Sequence, residues 1–189
     1  LKTISEALCP AGVTLSVPSL RVNHQLSSVV KGLSTKRSSS LTVAPEAARD
    51  EMRRRIAKRV TNDDLFAGCR AAFEHGFFRI KMYFMCGFPR EQEEDLSGIV
   101  ELSNQICHLG KEIRKKWPTV VANVSNFVPK PHTPLQWTGM ATREYFEEAH
   151  RILRSTRRER SVDVKYHSLD VSLLEGLLAR GDWRTGRTI

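Results

Sequence analysis

The chain has 189 residues, of which 40% are hydrophobic and 27% charged, with a net charge of +9. This composition is typical of a globular domain and excludes collagen-like and strongly disordered classes. No apolar run approaches the ~18 residues that a membrane helix needs, so a membrane partner is not expected. The sequence starts at Leu1 without a signal-peptide pattern, which indicates a start inside a longer protein or one lost to processing.

The basic balance favours anionic partners such as RNA, although excess arginine on a solvated surface gives the same count. The four cysteines, Cys9, Cys69, Cys86 and Cys107, form no CxxC or CxxxCxxC pattern. Such spacing gives weak support for a metal site built from them alone. It predicts free thiols and a reducing, cytoplasmic location.

Hydrophobic periodicity predicts alternating strands and helices along the chain. The predicted strands are 12–22, 40–45, 79–86, 120–128 and a short last one, VDVKYHSL, at 162–169. The predicted helices include a basic one with Met52, Ile56 and Val60 inward, one capped at 61–64, a long one from the acids after Pro89 to about Pro118, one over 142–157, and a last one capped by Ser172 and Glu175. Strands separated by crossover helices predict a parallel α/β sheet, either open or closed into a barrel.

Side-chain alternation separates these two alternatives. In strand 79–86, Lys81 and Tyr83 share one face, and Asn123 and Ser125 share one face of strand 120–128. A doubly wound sheet would be apolar on both faces, so one polar face in strand after strand favours a barrel with a polar interior. The alternative is that Lys81 and Asn123 face a wet edge.

The predicted strands end in similar sequences, Ala44-Pro45-Glu46, Gly87-Phe88-Pro89 and Val128-Pro129-Lys130-Pro131. Proline releases a chain from the sheet, and glycine lets the backbone approach a ligand closely. Because barrel sites lie at the carboxyl ends of strands, these exits predict a ligand mouth. The acids after Pro89 read as a helix start, and only Glu91 is near enough to the mouth to be a functional candidate.

Three of these stretches resemble motifs of radical S-adenosylmethionine (radical SAM) enzymes. They are LTVAPEAARDEMRRRIAKRVTNDDL, YFMCGFPREQEED and VSNFVPKPHTPLQW, which are similar to the exits of the family's fourth, fifth and sixth strands. With PSLRV and the closing YHSLDVSLLEGLLARGDWR, the resemblance is closest to the subgroup that carries a cobalamin-binding domain, and it covers nearly the whole chain.

The resemblance implies the second half of a partial, TIM-like (β/α) barrel over 1–140, followed by a helix–strand–helix tail over 141–189. It also implies S-adenosylmethionine and a 4Fe–4S cluster that cleaves it to a 5′-deoxyadenosyl radical, with an electron donor such as flavodoxin or ferredoxin, and with cobalamin as a further candidate. The cluster loop CxxxCxxC is absent from this sequence. It would lie upstream, so this fragment alone would be inactive.

Family positions carried over to this sequence assign cofactor-binding residues but no catalytic one. The residues expected at S-adenosylmethionine are Glu46, Lys81, Tyr83, Gly87, Pro89, Ser125, Phe127 and Val128. Those expected near the substrate are Arg21, Glu91 and His132. No metal ligand is assigned within this chain. Two other functions remain open, a basic RNA- or partner-binding module without catalysis and a methylthiotransferase-like radical enzyme that modifies transfer RNA.

Three surface features are interpreted without a catalytic role. The arginines of 53–59 are expected on a solvated helix face, and Trp137 is expected to anchor packing. Arg180 and Asp182 are expected to form a local ion pair.

Overall fold

The structure is a computed structural model that describes residues 40–187. Arg21 and the strand predicted at 12–22 lie outside the described residues. The strands are β1 (Ser40–Glu46), β2 (Arg79–Cys86), β3 (Thr119–Asn126) and β4 (Val162–Tyr166). The helices are α1 (Asp50–Arg55), α2 (Asn62–Glu74), α3 (Glu93–Arg114), α4 (Arg143–Ser155) and α5 (Leu169–Arg180), and a 3₁₀ turn follows at Trp183–Arg187.

The four strands form one parallel sheet in the order β1-β2-β3-β4. Each connection therefore moves to the next position in the same direction, and right-handed crossovers then place the helices on a single face. This is the winding of a barrel rather than of a doubly wound sheet. The predicted fold class, a parallel α/β fold consistent with a partial TIM-like barrel, is confirmed.

The core lies between the sheet and the helices. In β2 the side chains of Ile80, Met82 and Phe84 are almost fully buried on the helix side. Lys81 and Met85, on the opposite face, are only half-buried, and Tyr83 is exposed. The alternation read from the sequence therefore separates a packed face from an open face, as expected.

Local sequence signals set most helix boundaries. Thr61 and Asp64 form a reciprocal capping box at the start of α2, and Thr142 accepts a hydrogen bond from the backbone N–H of Tyr145 at the start of α4. Such caps satisfy N–H groups that have no partner inside the helix. Here the sequence located the helix starts to within a residue.

Two predicted helix boundaries are wrong, and the strands predicted to end at 128 and 169 end at Asn126 and Tyr166. The basic helix α1 ends at Arg55, because the chain turns through Ala57, whose φ is 56°. The last helix starts at Leu169, so Ser172 lies inside it instead of capping it. Its hydroxyl group is buried, donates to the Ser168 carbonyl and accepts a hydrogen bond from Asn126.

Two surface interpretations fail, and a third fails in part. Arg54, Arg55 and Arg59 are exposed as expected, but Arg53 is 0% exposed, and its guanidinium donates to the Ala47 carbonyl at 2.7 Å and to Asp50 and Asn62. Trp137 is 86% exposed, so it does not anchor packing. Asp182 pairs with Arg184, while Arg180 donates to the carbonyl of Thr138. The partners of Arg53 and Arg180 are set by chain folding, which the sequence does not display.

The described cysteines, Cys69, Cys86 and Cys107, are free and buried. Burial raises the pKa of the Cys69 thiol to about 12 and that of Cys107 to about 11. They are therefore protonated packing residues at neutral pH. Among residues 40–187, no helix combines the length and apolar content needed to cross a membrane.

Candidate functional site

A cavity of about 560 Å³ opens at the carboxyl ends of the strands, on the open face of the sheet. We call it the main pocket. Met85 at the end of β2 and Ser125 at the end of β3 line it, and they are direct neighbours in the sheet. Barrel enzymes place their sites at this edge because several loops converge there.

The floor of the main pocket is apolar. The rings of Phe88 and Phe127 lie with centroids 5.0 Å apart, and they belong to a small buried cluster that Met85 and Leu135 also contact. Aromatic pairs of this kind supply a large rigid surface for an apolar part of a ligand.

Charged side chains stand at the rim. Lys58 Nζ lies 3.0 Å from Glu46 Oε1, and Lys130 pairs with Glu175 of α5. His167, which directly follows β4, also lines the main pocket. The rim therefore offers donors and acceptors of both charges around an apolar floor, as is usual for small-molecule sites.

Strained backbone marks the strand exits. Glu46, Arg90 and His132 have φ values of 69°, 62° and 62°. Glu46 is the last residue of β1, and Arg90 and His132 lie in the loops that follow β2 and β3. Non-glycine residues rarely adopt this left-handed conformation, which costs on the order of 1–3 kcal/mol at each position. Because such strain concentrates at functional sites, it supports the location of the site at this edge.

Gly87 packs closely against the core. Its φ is 94°, and a Cβ atom placed on it would lie 2.6 Å from Cε1 of Phe146, a core ring of α4. The ligand contact predicted for its backbone remains a prediction.

Glu91 is hydrogen-bonded to the loop that follows β2. Its Oε2 accepts hydrogen bonds from the backbone N–H of Gly87 and from the Tyr145 hydroxyl, both at 2.6 Å. Burial raises its pKa to about 7, against the lowering effect of those two hydrogen bonds. Burial, and secondarily the hydrogen bond to Glu91, raise the pKa of Tyr145. The carboxyl group therefore acts as a clamp on the loop that carries Phe88 and Arg90.

A buried polar network lies behind the main pocket. Asn126 donates from Nδ2 to Ser172 Oγ at 2.9 Å, and its Oδ1 lies 3.1 Å from Nε2 of His150. Burial, and secondarily Arg154, lower the pKa of His150. Its ring stacks on Tyr166 at a centroid distance of 4.7 Å. Since Asn126 also lines the main pocket, this network ties the pocket wall to α4 and α5.

The structure brings together part of the predicted residue set. The predicted residues that line the main pocket are Glu46, Ser125, Phe127 and Val128. Pro89 lines a smaller neighbouring chamber. The predicted residues that line neither are Lys81, Tyr83, Gly87, Glu91 and His132. Lys81 and Tyr83 do share the open face with Asn123 and Ser125, further from the mouth.

The sequence interpretation missed several lining residues. They are Ile56, Lys58, Met85, Phe88, Asn126, Lys130, Thr133, Pro134, Leu135, His167 and Glu175. His167 directly follows β4, and Phe88 and Lys130 lie in the loops after β2 and β3, so the rule that sites gather at strand ends could have found them. Lys58 lies in the loop after α1 and Glu175 lies in α5, and no sequence signal points them at the mouth.

No protein-family model matches this chain. It is 30% identical over 176 residues to an uncharacterized protein of Methanocaldococcus jannaschii, a match that covers 90% of this chain and 36% of that protein. The chain thus spans about a third of the length of this relative.

Among solved structures, the chain is similar to a sugar phosphate isomerase/epimerase from Parabacteroides distasonis. The TM-score is 0.38 at 18% identity, over 80% of this chain and 51% of the other.

These findings contradict the identification as a radical SAM protein. No family model matches the chain, and the relative that it resembles in sequence is an uncharacterized protein. The radical function and the iron–sulfur and cobalamin assignments that followed from the resemblance are corrected accordingly, and the RNA-binding and transfer-RNA alternatives gain no support. Within residues 40–187, no group of three or more histidine, cysteine or acidic side chains is arranged to hold a metal ion.

Proposed function

We propose that residues 40–187 form one wall of a small-molecule binding site in a longer, barrel-type enzyme. The observation that carries this proposal is the main pocket of about 560 Å³ at the carboxyl edge of the parallel sheet. A volume of this size accommodates a metabolite of ordinary dimensions.

The lining defines the chemical character of the ligand. A flat, apolar part would lie on Phe88 and Phe127, whose rings form the floor. Polar substituents would face the Glu46–Lys58 pair and His167 at the rim. The ligand is therefore amphipathic, with an apolar body and polar ends.

The rim groups suit proton transfer. Carboxylates, amines and an imidazole are the side chains that act as general acids and bases. Glu46, Lys58 and His167 supply one of each within the main pocket. Acid–base chemistry on the bound molecule is thus the reaction class that this lining supports best.

The open face of the sheet indicates that these residues form only one wall of the site. Tyr83 is 43% exposed there, and its neighbour Asn123 is only half-buried. Within residues 40–187, no fifth strand pairs with the outer edge of β1 or of β4. The much greater length of the relative leaves ample polypeptide to supply the opposite wall.

The test is binding of N-phenylnaphthylamine, a neutral aromatic probe whose fluorescence rises in apolar sites. We expect saturable binding that Ser125→Trp reduces by about tenfold or more, because the indole would fill the main pocket. A tenfold loss corresponds to about 1.4 kcal/mol.

The matched control is Asn123→Trp. Asn123 lies two positions earlier on the same face of β3 and does not line the main pocket. We expect this variant to bind the probe as the unmodified chain does. Equal binding by the unmodified chain and by Ser125→Trp would exclude the pocket as a ligand site.

A further inference from the structure

A second chamber of about 290 Å³ adjoins the main pocket. Met52, Arg55, Ile56, Pro89, Arg90 and Leu135 line it. Ile56 and Leu135 also line the main pocket, so the two spaces share these walls. A ligand in the main pocket could therefore extend into the smaller chamber.

Two arginines distinguish the smaller chamber. Arg55 Nη2 bonds Glu51 Oε1 at 2.6 Å, and Arg55 Nη1 donates to the backbone carbonyl of Arg90 at 3.2 Å. The guanidinium of Arg90 itself has no hydrogen-bond or ion-pair partner among residues 40–187. One positive charge at this edge is therefore uncompensated.

The other charges around the cleft are paired. Lys58 pairs with Glu46, Lys130 with Glu175, and Arg55 with Glu51. Among residues 40–187, Arg90 is the basic lining residue that remains without an acidic partner. An unpaired guanidinium beside an apolar chamber is a site for an anion, since it offers a planar fork of N–H donors.

The backbone of Arg90 is strained but fixed by its neighbours. Its φ of 62° is a left-handed value that non-glycine residues rarely adopt. The conformation is fixed by the Arg55 bond to its carbonyl, by the Glu91 N–H bond to the Phe88 carbonyl at 3.1 Å, and by the Glu91 side chain on Gly87. Because this turn is held by several hydrogen bonds, the backbone that carries Arg90 is already ordered before a ligand binds. Less conformational entropy is then lost on binding, which favours affinity.

We propose that the smaller chamber binds an oxyanion group of the ligand, a phosphate or a carboxylate, through Arg90 with Arg55 beside it. This rests on the proposed function, because the apolar body of the same ligand would occupy the main pocket. Arginine contacts both oxyanions through paired N–H···O bonds.

The experiment compares two probes that share one aromatic framework. N-phenylnaphthylamine is neutral, and anilinonaphthalene sulfonate carries an added sulfonate that stands in for the oxyanion. We expect Arg90→Gln to weaken binding of the sulfonate probe by about tenfold, and to leave the neutral probe within about twofold. Arg90→Lys, which keeps the charge but loses the planar fork, should give an intermediate loss.

The matched control is Arg158→Gln. Arg158 is exposed in the connection between α4 and β4, at the opposite end of the sheet. Arg158→Gln changes the net charge by the same amount as Arg90→Gln, and it should not change the binding of either probe. If Arg158→Gln weakens the sulfonate probe as much as Arg90→Gln does, the attraction is general and the chamber is not an anion site.

Competition then identifies the oxyanion. At matched ionic strength, displacement of the sulfonate probe by inorganic phosphate but not acetate identifies phosphate, and the reverse identifies a carboxylate. Displacement by neither, beyond the effect of chloride, overturns the proposal.

The two proposals fail separately. An Arg90→Gln variant that binds both probes normally overturns the anion chamber and leaves the main pocket in place. A Ser125→Trp variant that binds the neutral probe normally overturns the main pocket itself.

Discussion

At the scale of single residues, backbone geometry and core packing both require glycine at position 87. Its φ of 94° and the nearby ring of Phe146 leave no room for a side chain. The loop that carries Phe88 and Arg90 into the site therefore begins at a position where only glycine fits.

We expect Gly87→Ala to lower the free energy of unfolding by at least about 2 kcal/mol, because it adds both left-handed strain and a clash. Urea denaturation measures the change. Gly139→Ala is the control, since a Cβ atom there meets nothing within 4 Å. A loss below about 0.5 kcal/mol for Gly87→Ala would show that Phe146 can move aside.

Glu91 makes a prediction about pH. Its folded pKa of about 7 lies above its ordinary value of 4.5, mainly because of burial. The folded state therefore holds a proton that the unfolded state releases. The resulting stabilisation is complete below pH 4.5 and is lost as the pH rises towards 7.

Glu91→Gln should remove this dependence. Between pH 4.5 and pH 7.5, the unmodified chain should lose about 1–3 kcal/mol of unfolding free energy relative to Glu91→Gln. Denaturation at both pH values measures it, with the exposed Glu112→Gln as the control. A difference that is constant with pH would show that folding does not raise the pKa of Glu91.

At the scale of elements, α5 is attached to the site mainly by polar contacts. Asn126 bonds Ser172, and Lys130 bonds Glu175. The apolar side chains of Val171, Leu174, Leu177 and Leu178 are instead 63%, 54%, 53% and 43% exposed. A helix that buries so little apolar surface depends strongly on its few buried hydrogen bonds.

We expect Ser172→Ala to lower the free energy of unfolding by about 1–2 kcal/mol, because it leaves the buried Asn126 amide without its acceptor. Backbone amides of α5 should exchange hydrogen faster, while those of α3 stay protected. Ser155→Ala is the control, since Ser155 is exposed and donates only to Ile152 of its own helix. Unchanged exchange in α5 would show that other contacts hold this helix.

Element prediction succeeded where the signals are local. The bounds of β2 were predicted to the residue, because the alternation from Arg79 to Cys86 lies between Gly76 and Gly87. Strand β1 continues past Pro45 to Glu46 through an irregular register between Val43 and Glu46. A proline lacks the N–H for the ladder, but a bulge in a strand tolerates this.

At the scale of the whole molecule, the sheet presents a helix-covered face and an open face that ends in the main pocket. The relative from Methanocaldococcus jannaschii extends well beyond the matched region. The domain limits predicted at 140 and 141, and the binding roles of individual residues, remain predictions. Motif resemblance misled most at this scale, because short proline and glycine exits suit many barrels and specify no particular chemistry.

The sequence by itself determined the order of strands and helices, the parallel winding and the presence of one polar face, because periodicity and capping are properties of neighbouring residues. Only the tertiary structure decided that Lys58 meets Glu46, that Glu175 reaches Lys130, and that Arg90 has no acidic partner within the part of the chain that the structure describes. These partners come from separate elements, so their meeting depends on how the helices and loops pack at the carboxyl edge of the sheet, which no local pattern encodes.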